Sequence, residues 1–120
     1  MLTVDIVGCG EVAEQFHAPV LRHLRRQGLV RVGGCYDVHA PRARRLCRLL
    51  GGERWGTSVP DAPLPGVGAA LVATPPAYHL QAALPYLSTG RHALIEKPFA
   101  ATRADAERLV MVARASGARV

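Results

Sequence analysis

The sequence predicts an α/β domain built on a doubly wound parallel sheet with helices on both faces. Three observations carry that expectation. Short apolar runs alternate with amphipathic helical stretches from end to end, the pattern of successive β-α-β units. The first apolar run ends in a glycine-rich turn that opens a helix. Several later runs end in turns bearing polar or titratable residues, and ligands of such sheets sit at the carboxyl ends of strands. A chain of 120 residues suits one domain, 1–120, and its 49% hydrophobic content is that of an ordinary globule.

Leu2–Val7 is an apolar run with one Asp, followed by glycine, and reads as a buried strand. Glu11–Gln27 places Val12, Phe16, Val20 and Leu24 at steps of four, the expected buried face of a helix that Pro19 should kink and Gly28 should end. Leu29–Tyr36 is a second strand carrying a Gly pair. Ala40–Leu50 is a basic helix with Leu46, Leu49 and Leu50 turned inward and Gly51-Gly52 as its stop. Glu53–Thr57 is a short third strand, and Ser58–Gly68, rich in Pro and Gly, reads as a loop. Ala69–Ala73 is the next buried strand. Pro76–Thr89 is helical by Leu80, Ala83, Leu84 and Leu87, disturbed at Pro85 and capped by Gly90. Arg91–Ile95 is the last full strand. Thr102 with Asp105 starts a helix that buries Ala106, Leu109, Val110 and Ala113 and ends at Gly117. Ala118–Val120 reads as the start of another strand.

Composition narrows the function classes. No basic n-region precedes the first apolar run, and no run nears the roughly 18 apolar residues of a membrane span. Cys9, Cys35 and Cys47 form an odd set without C-x-x-C, which argues against a disulfide framework or a zinc site and suits a reducing cytoplasm. The net charge of +6 invites a nucleic-acid reading. The arginines are dispersed through the helices with no aromatics between them for stacking, so the expectation is no nucleic acid and no membrane partner.

The strand ends carry the chemistry. Gly8-Cys9-Gly10-Glu11-Val12-Ala13 is a G-x-G-x-x-A after a strand and at the head of a helix. Gly8 allows a tight turn, Gly10 lets a pyrophosphate approach the backbone, and Ala13 lets helix and strand pack closely. The helix N-terminus offers N–H groups to phosphate. Asp37 follows the second strand, 24 residues beyond Ala13. Its carboxylate suits the hydroxyls of an adenine ribose and repels a 2′-phosphate, favouring NAD over NADP. Two features pull the other way. Asp37 also suits a helix cap, and Arg42 and Arg44 lie close enough to compensate a 2′-phosphate. After the fourth strand comes Thr74-Pro75-Pro76-Ala77-Tyr78-His79, where a lone histidine has either a structural or a site role. Glu96-Lys97-Pro98 closes the last full strand. Lys97 is the only lysine beside 14 arginines. A compact ammonium suits proton transfer or a close contact to a reacting oxygen, which a guanidinium does not. Its alternative role is a surface charge.

Taken together, G-C-G-E-V-A, the His17-Ala18-Pro19 triplet, Asp37, A-T-P-P-A-Y-H and I-E-K-P resemble, in order, the glucose-fructose oxidoreductase / inositol dehydrogenase (Gfo/Idh/MocA) family, over about Leu2 to Gly117. The resemblance implies a Rossmann-type domain binding NAD or NADP, and hydride transfer between nicotinamide and a sugar, cyclitol or related hydroxyl or carbonyl compound. It implies that Gly8, Cys9, Gly10, Glu11 and Val12 hold the pyrophosphate and Asp37 the adenine ribose. Thr74, Pro75 and His79 would line the cofactor's centre, Glu96 would bind the nicotinamide ribose, and Lys97 would be catalytic beside the reacting carbon. It further implies a cis Lys97–Pro98 bond.

Three departures from the family pattern bear on function. Ser58–Gly68 replaces an acidic helix, Pro85 interrupts a helix, and residues 1–120 are expected to carry the Rossmann domain without the family's C-terminal α/β substrate domain. A small-molecule substrate is therefore expected only with a second domain or chain, and self-association or a partner protein is expected at the uncovered surface. The competing function is a stand-alone nucleotide-binding accessory or sensor module without catalysis of its own.

Overall fold

A computed structural model describes residues 1–120. Its five strands form one parallel sheet: β1 (Leu2–Val7), β2 (Val30–Tyr36), β3 (Arg54–Gly56), β4 (Val67–Val72) and β5 (His92–Ile95), in the order β3-β2-β1-β4-β5. The helices are α1 (Ala18–Arg26), α2 (Ala40–Leu50), α3 (His79–Leu87) and α4 (Arg103–Ser116). The predicted sheet is thus present, with each strand within about two residues of its expected bounds.

Strand alternation builds two cores. Val4 and Ile6 face α1 and α2, packing with Ala13, Ala18, Leu21, Leu46 and Leu50. Val7 faces the other way, with Val72, Tyr86, Leu87 and Leu109 of the α3 and α4 layer. The chain leaves β1 towards β2 on one side and reaches β4 on the other, so the strand order reverses between β1 and β4. That switch point opens a crevice at the carboxyl ends of the strands.

The helix after β1 departs from the expected pattern. A π segment, Ala13–His17, precedes α1, and the Ala18 N–H donates to the Ala13 carbonyl five residues back. The wide turn moves the buried face. Ala13, Ala18 and Leu21 are buried, whereas Val12, Phe16 and Val20 are exposed by 41%, 66% and 56%. The four-residue stripe therefore faces outward except at Leu24, which packs against the core. Pro19 falls within the first two residues of α1, where a missing N–H costs nothing.

In α2, Leu46 and Leu50 are buried as expected, but Leu49 is 38% exposed and its place inside is taken by Ala43 and Cys47. The helix ends at Gly51 in the left-handed conformation. The segment from Pro76 opens as a 3₁₀ turn, Pro76–Tyr78, before α3, which runs through Pro85. Beyond α4 no strand forms, although the Ala93 N–H already donates to the Arg119 carbonyl at 3.0 Å.

The Gly pair of β2 is a bulge. Val4 pairs with Val32 and Ile6 with Cys35, so β2 spends one extra residue opposite Asp5. The Gly34 N–H freed there donates to Asp5 Oδ1 at 2.7 Å, and a Cβ on Gly33 would lie 2.6 Å from that oxygen.

Thr102 caps α4 as expected, accepting the Asp105 N–H at 3.1 Å. Thr102→Ala should cost about 1 kcal/mol, read as a lower urea midpoint. An unchanged midpoint would show that the cap contributes nothing.

Candidate functional site

The loop after β1 is shaped by contact with the end of β4. Gly8 has φ +91°, donates its N–H to the Tyr36 carbonyl at 2.8 Å, and would place a Cβ 2.6 Å from the Ala73 carbonyl and the Thr74 nitrogen. Gly10 is the opposite case: a Cβ there would meet nothing within 4 Å. The Glu14 N–H donates to the Gly10 carbonyl at 3.0 Å. The N–H groups ahead of it are those a helix leaves without an internal acceptor.

Asp37 stands against this turn. Its Oδ2 accepts the Cys9 N–H and its Oδ1 the His39 N–H, both at 2.8 Å. The residue before α2 is His39, so Asp37 ties down the glycine loop rather than capping the helix at its own position. A cleft of about 510 Å³ opens here, lined by Cys9, Gly10, Glu11, His39, Arg42 and Arg45 among others. Arg45 is held by Glu14 at 2.7 Å, whereas Arg42 has no ion-pair partner. Val12 sits half-exposed at the same helix head.

Thr74, two residues past β4, has a buried Oγ1 with no hydrogen-bond partner. Buried hydroxyls are normally satisfied, so this atom is left for something the protein itself does not supply. Pro75 follows in an extended conformation and is exposed. His79 opens α3. It is 1% exposed, with Nε2 2.8 Å from the Thr74 carbonyl and Nδ1 3.2 Å from the Phe99 carbonyl. Both ring nitrogens are engaged by backbone, so His79 fixes the loops after β4 and β5 and presents no nitrogen to the crevice.

At the end of β5 the Glu96 N–H donates to the Val72 carbonyl at 2.9 Å. Glu96 Oε1 lies 2.6 Å from His17 Nε2, and Oε2 accepts the Lys97 N–H at 3.1 Å. The His17 hydrogen bond, then the Lys97 N–H, hold the Glu96 carboxyl below its usual range. The Lys97–Pro98 bond is cis, and the Lys97 side chain is exposed.

These contacts join the strand-end loops into one set. Cys9–Asp37 joins β1 to β2, the Gly8–Ala73 approach joins β1 to β4, and His79 joins β4 to β5. His17–Glu96 closes the ring back to the helix after β1. His17 had no expected role of its own, although the His-Ala-Pro triplet was visible. Its partner lies 79 residues away, a distance at which periodicity is silent.

The residues present fit a dinucleotide: an open glycine backbone, a helix head of free N–H groups, a carboxylate beside it and an orphaned hydroxyl at the switch point. No group of three or more His, Cys, Asp or Glu is placed to hold a metal ion.

Known proteins point the same way. The Gfo/Idh/MocA family model, described as "Oxidoreductase family, NAD-binding Rossmann fold", matches residues 2–120. The chain is 30% identical over 116 residues to a dTDP-3,4-didehydro-2,6-dideoxy-α-D-glucose 3-reductase of Actinomadura kijaniata, covering 97% of this chain and 34% of that one. It is 29% identical over 117 residues to an oxidoreductase of Formosa agariphila, covering 96% of this chain and 35% of that one. The crystal structure of KijD10, a 3-ketoreductase from A. kijaniata in complex with NADP and TDP-benzene, superposes with a TM-score of 0.84 at 30% identity, covering 98% of this chain and 35% of that one. The chain spans about a third of the length of the curated relatives it matches. With that model matched along nearly the whole sequence and the sheet order in place, the chain belongs to the Gfo/Idh/MocA oxidoreductase family, as its NAD-binding Rossmann domain.

Proposed function

We propose that the chain holds NAD or NADP along the carboxyl edge of its sheet and serves the cofactor half of a hydride transfer to or from a sugar, cyclitol or related compound. The observation that carries this reading is the joined set of strand-end loops around an open Gly10 and an orphaned Thr74 hydroxyl. Gly8, Cys9, Gly10, Glu11 and Val12 line the pyrophosphate, and Asp37 accepts the adenine ribose hydroxyls with its remaining lone pairs. Thr74 and Pro75 border the centre of the cofactor, with His79 holding their loop. Glu96 accepts the nicotinamide ribose, and Lys97 stands beside the reacting carbon. Bound nicotinamide supplies or takes the hydride. The chain's own residues orient it and place an ammonium near the substrate oxygen. The sugar-nucleotide reductase among the relatives makes a sugar nucleotide the substrate class to test first.

Calorimetry with NAD, NADP and their reduced forms tests the reading, and no binding of any at millimolar concentration would sink it. Asp37 should favour NAD about tenfold, worth about 1.4 kcal/mol. Asp37→Asn keeps an acceptor for the Cys9 N–H, removes the charge, and should narrow the gap. Arg42, unpaired on the same cleft, is the group that would then meet a 2′-phosphate. Equal preference before and after the substitution would remove Asp37 from cofactor choice.

Lys97 lies on an open edge, which favours a second reading: a nucleotide-binding accessory module without turnover. Hydride transfer needs reacting atoms about 3–3.5 Å apart, shielded from water. In the main reading a second domain or chain supplies that shield. The exposed Val12, Phe16 and Val20 stripe is apolar surface for it or for self-association. Turnover of a polyol and sugar-nucleotide panel by the 120-residue chain would refute the accessory reading. No helix is long and apolar enough to cross a membrane. Three buried cysteines without a disulfide support a cytoplasmic setting.

A further inference from the structure

We propose that His17 is the positioning residue for Lys97: by binding the Glu96 carboxylate, it keeps that carboxylate off the neighbouring ammonium. The inference deepens the reading above, since it rests on Lys97 acting at the reacting oxygen.

The chain contains its own comparison. Glu53 and Arg54 are adjacent, both partly exposed, and they pair at 3.0 Å. Glu96 and Lys97 are adjacent too, yet Lys97 has no carboxylate within salt-bridge reach. The difference lies in what holds the acid. Glu96 has one oxygen on His17 Nε2 at 2.6 Å and the other on the Lys97 backbone N–H at 3.1 Å. Consistent with this, the Lys97 charge is the weakest of the influences that lower the Glu96 carboxyl, and the His17 bond the strongest.

The local cause is the π segment Ala13–His17, whose last residue is His17. A π turn holds one residue more than an α turn, which rotates the chain before it relative to the chain after it by about 100°. In this helix the shift coincides with a histidine pointing at the β5 loop and with Ala18 and Leu21 still buried. An ammonium left unpaired keeps all three N–H donors for a reacting oxygen.

Lys97 being the only lysine makes the test direct. Reductive ¹³C-methylation labels one side chain and the N-terminal amine, and methylation keeps the charge. NMR titration then follows Lys97 as the one labelled side chain. In His17→Ala the released carboxylate should pair with the ammonium, raising the Lys97 midpoint by about half a unit. A second inflection should appear where Glu96 titrates. His17→Gln retains a donor to Glu96 and should restore wild-type behaviour. Adding His17→Ala to Glu96→Gln should leave the Lys97 midpoint where Glu96→Gln alone puts it, because no carboxylate is then released. A His17→Ala curve superimposable on wild type, a His17→Gln curve matching His17→Ala, or a further shift when His17→Ala is added to Glu96→Gln would each overturn the proposal. Nucleotide calorimetry on the same samples is read separately. Absent binding with the predicted lysine shifts would remove the cofactor reading and leave the positioning intact.

Discussion

Gly8→Ala is expected to lower stability by about 3–5 kcal/mol and to abolish dinucleotide affinity. Two costs combine. The backbone sits at φ +91°, where an L side chain is strained. The new methyl would also lie 2.6 Å from the Ala73 carbonyl and the Thr74 nitrogen. These are backbone atoms, so no flexible side chain can yield. Relief requires moving the end of β4 away from β1, and that joint is held by the Ala73 N–H to Val7 carbonyl bond at 2.8 Å. Opening it would also separate Thr74 from the glycine turn. Gly10→Ala is the control. Its Cβ meets nothing and the residue has no positive φ, so stability should stay within about 0.5 kcal/mol of wild type. Nucleotide affinity should nonetheless fall, because the methyl occupies the space the pyrophosphate needs. Urea melts and calorimetry on the two variants separate folding from binding. A Gly8→Ala melt overlaying wild type would show that the β1–β4 joint is looser than its geometry states.

The sheet was legible because each strand is a short apolar run closed by a turn residue, and the β-α-β rule leaves few ways to arrange such runs. The strand-end residues were legible as positions for the same reason, and their chemistry followed from type: glycines, a carboxylate, a lone lysine. What stayed hidden is what depends on helix phase or on distant partners. Val12, Phe16, Val20 and Leu24 sit at ideal α spacing, but the turn between Ala13 and Ala18 is five residues wide, and of the stripe only Leu24 packs against the core. Leu49 was misplaced for a milder reason. Next to Leu50, only one of the two can face the sheet, and the small Ala43 and the Cys47 thiol fill the adjoining space. His79 had a site role and a structural role open to it, and nothing in the sequence signals that its ring is buried between two backbone carbonyls. Asp5 could be seen interrupting an apolar strand, but not why, since Tyr86 lies 81 residues on.

The stability of the domain should fall as pH rises above about 4, through Asp5. The residue is 1% exposed in the middle of β1, with Oδ1 on the Gly34 N–H at 2.7 Å and Oδ2 on the Tyr86 hydroxyl at 2.9 Å. Burial raises its carboxyl above the ordinary 3.8, and the Gly34 and Tyr86 hydrogen bonds and the Arg54 charge offset only part of that. A raised folded pKa means the native state binds the proton more tightly than the unfolded chain. Stability is therefore highest below the unfolded value and is lost as pH climbs through the folded one. Glu96 has the opposite sign, its carboxyl being held below 4.5, so it contributes stability above that value and loses it in acid. Asp5 must accordingly be read by difference. Asp5→Asn still accepts from Gly34, cannot ionise, and can donate to the Tyr86 oxygen. Its stability relative to wild type should rise with pH and then level off. Tyr86→Phe strips one partner from a buried carboxylate, and at neutral pH should cost about 2–3 kcal/mol. The cost should shrink in acid, where the carboxyl is neutral. Urea melts of the three proteins between about pH 4 and 8 decide the matter. Parallel stability curves for wild type and Asp5→Asn would mean that Asp5 is charged in both states across that range. The buried carboxylate would then be a fixed part of the β2 bulge rather than a titrating one.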